Sequence, residues 1–185
     1  MSNRITALFG DWIGSFKMRL YHYAPLQNNI PQQGINTFKN GYGDVKPYTE
    51  RAGSENRQKI ISWMEGCFPG RSRAISVVTE PIKWEGNDLM LKEFIEIHRI
   101  FSFELNDLIQ NEIIESIWCQ EGDKIYSVQP EEIDFSPLLW EKCNQEKGIF
   151  FGVIRHYFIV LKEGVLSPKY IREEERESEI GRAHV

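Results

Sequence analysis

Between residues 74 and 161 the chain is almost continuously β-patterned, and turn signals rather than helices separate one segment from the next. The β-like segments run over 74–84, 89–105, 113–120, 124–128, 133–140 and 149–161. Between them stand Glu85-Gly86-Asn87-Asp88, Glu121-Gly122-Asp123 and the polar stretch 144–148. Short connections favour antiparallel neighbours, and the lack of intervening helices argues against a parallel α/β sheet. Upstream, residues 10–23 alternate: Phe16, Met18, Leu20 and His22 share one face, Lys17, Arg19 and Tyr21 the other, which predicts a strand with one buried side. The segment 28–43, rich in Asn, Gln and Gly, reads as a loop followed by a short or bulged strand. The period changes only over 54–67, where Ile60, Ile61, Trp63, Met64, Cys67 and, just past it, Phe68 fall on one helical stripe until Gly66 and Pro69-Gly70 stop the helix. Roughly eight strands and one inserted helix predict a mainly β fold, an up-and-down antiparallel barrel wide enough for one small ligand.

Length and composition bound what such a barrel does. At 185 residues the chain fits one domain, taken as 1–170, followed by a charged tail over 171–185 that reads as a disordered, solvated extension. Residues 180–185 resemble a translated sequencing adapter, so no role is assigned to them. A net charge of −5 argues against nucleic acid as a partner. No stretch approaches the roughly 20 apolar residues of a membrane helix, and the chain reads as soluble and intracellular. Its three cysteines form no CxxC pair, so neither a disulfide framework nor a zinc site is expected. The histidines fall on different strands, and no metal is expected. There is no phosphate loop, no GxSxG and no cysteine in the context of a nucleophile.

Three constellations carry chemistry. Segment 89–105 places Glu93 and Arg99 on an otherwise apolar face, either as polar contacts inside a ligand cavity or as a plain Glu–Arg pair at the barrel mouth. Arg155, in the last long segment, either touches a ligand or, as a resemblance to lipocalin-like barrels implies, packs on Trp12 to close the barrel. Glu115, Trp118 and Tyr126 lie on two segments joined by the turn at Gly122, a carboxylate beside rings that reads equally as ordinary cross-strand pairing.

Short motifs add a resemblance. Gly10, Trp12 and Gly14 in LFGDWIGSF match the G-x-W start of the calycins, the lipocalin-like barrels. The order of parts, with a helix after the second strand and then Trp84-Glu85-Gly86, resembles the S-type phycobiliprotein lyases. Residues 123–131, DKIYSVQPE, are similar to a motif of that family, with Lys124 in an arginine place, Tyr126 in a tryptophan place and Pro130 retained. Glu131 and the Glu132-Ile133-Asp134-Phe135 continuation depart from it.

The resemblance implies a cytoplasmic protein, or a plastid one if the source is an alga. It would bind a linear tetrapyrrole, phycoerythrobilin or phycocyanobilin, and join it by a thioether to a cysteine of an apo-phycobiliprotein subunit. A homodimer is compatible with it. The acid it requires falls on Glu115, and the propionate partners on Arg19, Arg99 and Arg155. His22, Trp84, Glu93, Trp118 and Tyr126 complete the implied ligand set. The alternative is a non-catalytic carrier of haem, a fatty acid or another apolar molecule, and a third reading is an interaction domain without a small ligand.

Overall fold

Alternating burial identifies the first strand. Met18, Leu20, His22 and Ala24 are buried while Arg19, Tyr21 and Tyr23 between them are only half-buried, as the alternation in the sequence predicts. The computed structural model describes residues 18–37, 54–81, 93, 95–135 and 155–175. It shows a mainly β protein built from antiparallel sheets with few helices.

The first sheet has the order β1 (Arg19–Pro25), β4 (His98–Glu104), β9 (Arg172–Glu173). The second has the order β3 (Ala74–Val77), β7 (Arg155–Leu161), β5 (Ile114–Glu121), β6 (Lys124–Val128). A two-residue pair, β2 (Ile35–Asn36) with β8 (Val165–Leu166), stands apart. Among the described strands only β5 and β6 are neighbours both in the chain and in a sheet, joined by the turn at Gly122. The other pairings cross long separations: β1 lies against β4, and β3 and β5 both flank β7.

The two sheets are tied together at β1. The Tyr21 and Val78 amides each donate to the other's carbonyl at 2.9 Å, so β1 has β4 on one side and the end of β3 on the other. A second tie is His22, whose ring Nδ1 lies 2.8 Å from the Ser76 carbonyl oxygen. Inner-face residues of both sheets then form one cluster, including Leu20, Phe101 and Phe103 from the first sheet and Ile75, Val77, Ile117 and Ile159 from the second.

Two elements differ from the sequence reading. Segment 89–105 is not one strand: Glu93, Ile95 and Glu96 form a helical turn, closed by the Ile97 amide on the Glu93 carbonyl, and β4 begins at His98. A short helix, α3 (Leu105–Gln110), follows β4 directly and buries Leu105, Leu108 and Ile109, apolar positions at helical spacing that the strand pattern upstream obscured. The tail also departs from expectation, because Arg172 and Glu173 pair with Ser102 and Phe101 of β4.

Between β2 and β3 lies α2 (Ser54–Cys67), at the bounds its spacing predicts; α1 (Ile30–Gln33) is a single turn before β2. The stripe expected to be buried is incomplete. Trp63 is 70% exposed, while Phe68, the last residue of that stripe and just past the helix, is 3% exposed and anchors it. Trp63 sits at the edge of the helical arc defined by Met64 and Cys67, so the sheet meets the arc and leaves the indole outside.

Candidate functional site

The outer face of the second sheet carries a small aromatic cluster beneath the end of α2. Phe68 stacks on Trp118 with centroids 4.9 Å apart and an interplanar angle of 17°, and it meets Phe158 at 5.3 Å. The Arg71 guanidinium lies 4.4 Å from the Phe158 ring centroid, and burial holds its pKa below the ordinary arginine value. The turn that delivers these groups is fixed by Glu65, whose carboxylate accepts from the Gly70 amide at 2.7 Å, the Ser72 amide at 3.3 Å and the Ser72 hydroxyl. Burial pushes the Glu65 carboxyl up, but the hydrogen bonds from Ser72 and Gly70 outweigh it and hold the group below its ordinary pKa.

Glu115 belongs to the rim of this cluster. The register shifts between Ile114 and Ser116, so Glu115 is the extra residue of a β-bulge. It pairs with Arg73 at 2.7 Å, and the same guanidinium donates to the Leu161 and Lys162 carbonyls at 2.9 and 3.1 Å. Trp118 donates its indole N–H to the Ser116 hydroxyl at 3.1 Å. Tyr126 does not join them. It lies opposite Cys119, on the other face from Trp118, and donates to Glu121 at 3.0 Å. Contact with Cys119, burial and Glu121 all raise the Tyr126 pKa.

The remaining sequence candidates are spread over the molecule. Arg19 is on the outer face of the first sheet, donating to Glu104 at 2.8 Å and to the fully buried Ser102 hydroxyl at 2.9 Å. His22 lies on the inner face; burial dominates and lowers its pKa, partly opposed by its hydrogen bond to Ser76, so the ring is a neutral donor to that carbonyl. Glu93 is exposed on the helical turn, so the anticipated Glu93–Arg99 set on one strand face does not form. Arg99 instead makes a bidentate pair with Glu173 at 2.7 and 2.8 Å. Trp12 and Trp84 lie outside the described residues, as does the Arg155 side chain; the Arg155 backbone starts β7 opposite Glu121.

Glu115 and Trp118 are thus brought to one region, and Arg99 meets Glu173 of β9 while Arg19 reaches the Ser102 hydroxyl that donates to Glu174, whereas His22, Glu93 and Tyr126 belong to neither group. Sequence reasoning placed Phe68 on the buried stripe of the helix but missed Arg71 and Phe158 at the first region and Ser102, Glu173 and Glu174 at the second. Phe68 was legible because it continues the helical period of α2; Glu173 is 74 residues from Arg99, and no local signal links them. Among the described residues no three His, Cys, Asp or Glu side chains converge as a metal site, and no described helix is long and apolar enough to cross a membrane. Comparison with protein-family models, curated proteins and solved structures finds no match.

Proposed function

We propose that this chain is a non-catalytic binding protein, its strands part of a closed calycin-like barrel that takes an apolar small molecule such as haem or a fatty acid. One observation carries the choice of binding over catalysis: Glu115, the acid that chemistry on a bilin would use, is committed to Arg73 at 2.7 Å in a bulge on the outer side of the sheet. The other charged candidates support it, since Arg19 and Arg99 also sit in ion pairs with carboxylates of the same chain. An apolar rather than a polar ligand fits the character of the interior, where Leu20, Phe101, Phe103, Ile75, Val77 and Ile159 belong to one buried apolar cluster.

The lyase reading rests on the short motifs, with Glu115 and Trp118 meeting in one region as its structural support. One titration separates the readings. The purified protein is mixed in turn with haem, a fluorescent fatty acid and phycoerythrobilin, and then with an apo-phycobiliprotein subunit. The expected result is saturable binding of haem or fatty acid without thioether formation. Bilin transfer to the acceptor cysteine would establish the lyase instead, and absence of binding by all three would leave the interaction-domain reading.

A further inference from the structure

Up to Ile171 the end of the described chain is held by apolar contacts: Leu166 is fully buried, and Tyr170 and Ile171 pack against the main core. From Arg172 onward the attachment changes in kind. β9 spans two exposed residues, extended by one backbone bond from the Glu174 amide to the Ile100 carbonyl at 2.8 Å. Its side chains are fastened by polar contacts. On one face Arg99 grips Glu173 with two hydrogen bonds and lies 5.3 Å from the Phe101 ring centroid. On the other, Glu174 accepts from the Ser102 hydroxyl and from Arg172 at 2.7 and 2.9 Å, while Arg19 donates to that same hydroxyl. Burial pushes the Glu174 carboxyl up, but the Ser102 and Arg172 hydrogen bonds prevail and keep it below its ordinary pKa.

The outer edge of β4 therefore reads successive side chains of an extended strand, with a guanidinium on one face and a hydroxyl backed by a guanidinium on the other, each meeting a carboxylate. Strand addition at a sheet edge supplies generic backbone affinity, and side-chain partners on alternate faces supply selectivity. An occupant without acids would leave Arg99 without its bidentate partner and the fully buried Ser102 hydroxyl without its acceptor. We propose that this edge is a docking site for an acidic extended peptide of a partner protein, and that the chain's own segment 172–175 occupies it as a tethered, displaceable strand. The tether gives the resident segment a high effective concentration, so a partner gains access when the segment's charges are weakened. Partly exposed ion pairs are the contacts that salt screens most.

The test uses the full-length chain carrying E173Q and E174Q together, and a fluorescent peptide of residues 170–175 in its native sequence, read by anisotropy. The substituted chain should bind the peptide about tenfold or more tightly than the wild type, whose site is filled. Binding should weaken at high salt and be lost when R99Q is added. Equal binding by wild type and variant, no binding by a variant that melts normally, or binding indifferent to R99Q would overturn the proposal. A second measurement needs no substitution. In the wild-type chain, hydrogen exchange at the Glu174 amide should rise with salt while that of Leu20 stays fixed. A Glu174 amide whose protection ignores salt would show that charge does not hold the segment, and the proposal would fail.

Discussion

His22 shows how one buried residue makes the fold sensitive to pH. Its folded pKa lies below the ordinary 6.5, chiefly because burial disfavours the imidazolium. Above about pH 6.5 both folded and unfolded chains hold the ring neutral, and the contribution is fully present. As the pH falls below that value the unfolded chain takes up a proton that the folded chain refuses, so stability declines, by up to about 1.4 kcal/mol per pH unit. Urea unfolding between pH 7.5 and 5 should show this slope in the wild type and a shallower one in His22→Gln. The comparison is of slopes, since losing the bond to Ser76 lowers the whole curve. Parallel curves would mean that His22 does not report the linkage. Glu65 and Glu174, with pKa values below the ordinary 4.5, add their losses only at lower pH and leave this window clear.

At the scale of elements, the turn from α2 into β3 decides where the helix lies. Gly70 adopts φ +88, and a Cβ there would come within 2.5 Å of Val160 Cγ1. Gly66, inside the helix, has nothing within 4 Å of the same imagined atom. The two glycines therefore predict opposite signs. Gly70→Ala should destabilise by about 2–4 kcal/mol, from left-handed backbone strain and overpacking together. Gly66→Ala should stabilise by about 0.5–1 kcal/mol through helix propensity and a less flexible unfolded chain. Denaturant midpoints of the two variants check both; a harmless Gly70→Ala would mean that the Phe68–Trp118 stack does not depend on this turn.

For the whole molecule, the Tyr21–Val78 bridge and the His22–Ser76 bond make the two sheets a single unit around one core. Phe103 belongs to that core and is fully buried, so Phe103→Ala should cost about 3–5 kcal/mol. The loss should reach both sheets equally. Hydrogen exchange at Leu20 in the first sheet and Ile159 in the second should lose protection by the same free energy, as in one cooperative unfolding step. If Ile159 kept its protection while Leu20 lost it, the sheets would be separate folding units.

Local pattern was enough to place β1, α2, β5, β6 and the end of β7, because each carries its own period or turn signal: alternation around Leu20, helical spacing up to Cys67, Gly122 between β5 and β6. It was enough, too, to mark Glu115 and Arg99 as charges in unusual company, while Arg19 entered only through the resemblance. What they are for was decided elsewhere. Arg73 reaches Glu115 across 42 residues and Glu173 reaches Arg99 across 74, and such pairs depend on which strands become neighbours, which sequence periodicity does not encode. Periodicity sets which face of an element is apolar; it does not set the order of strands in a sheet. Here β1 beside β4 and β7 between β3 and β5 gave three candidate site residues ion-pair partners and paired the start of a charged tail with a strand.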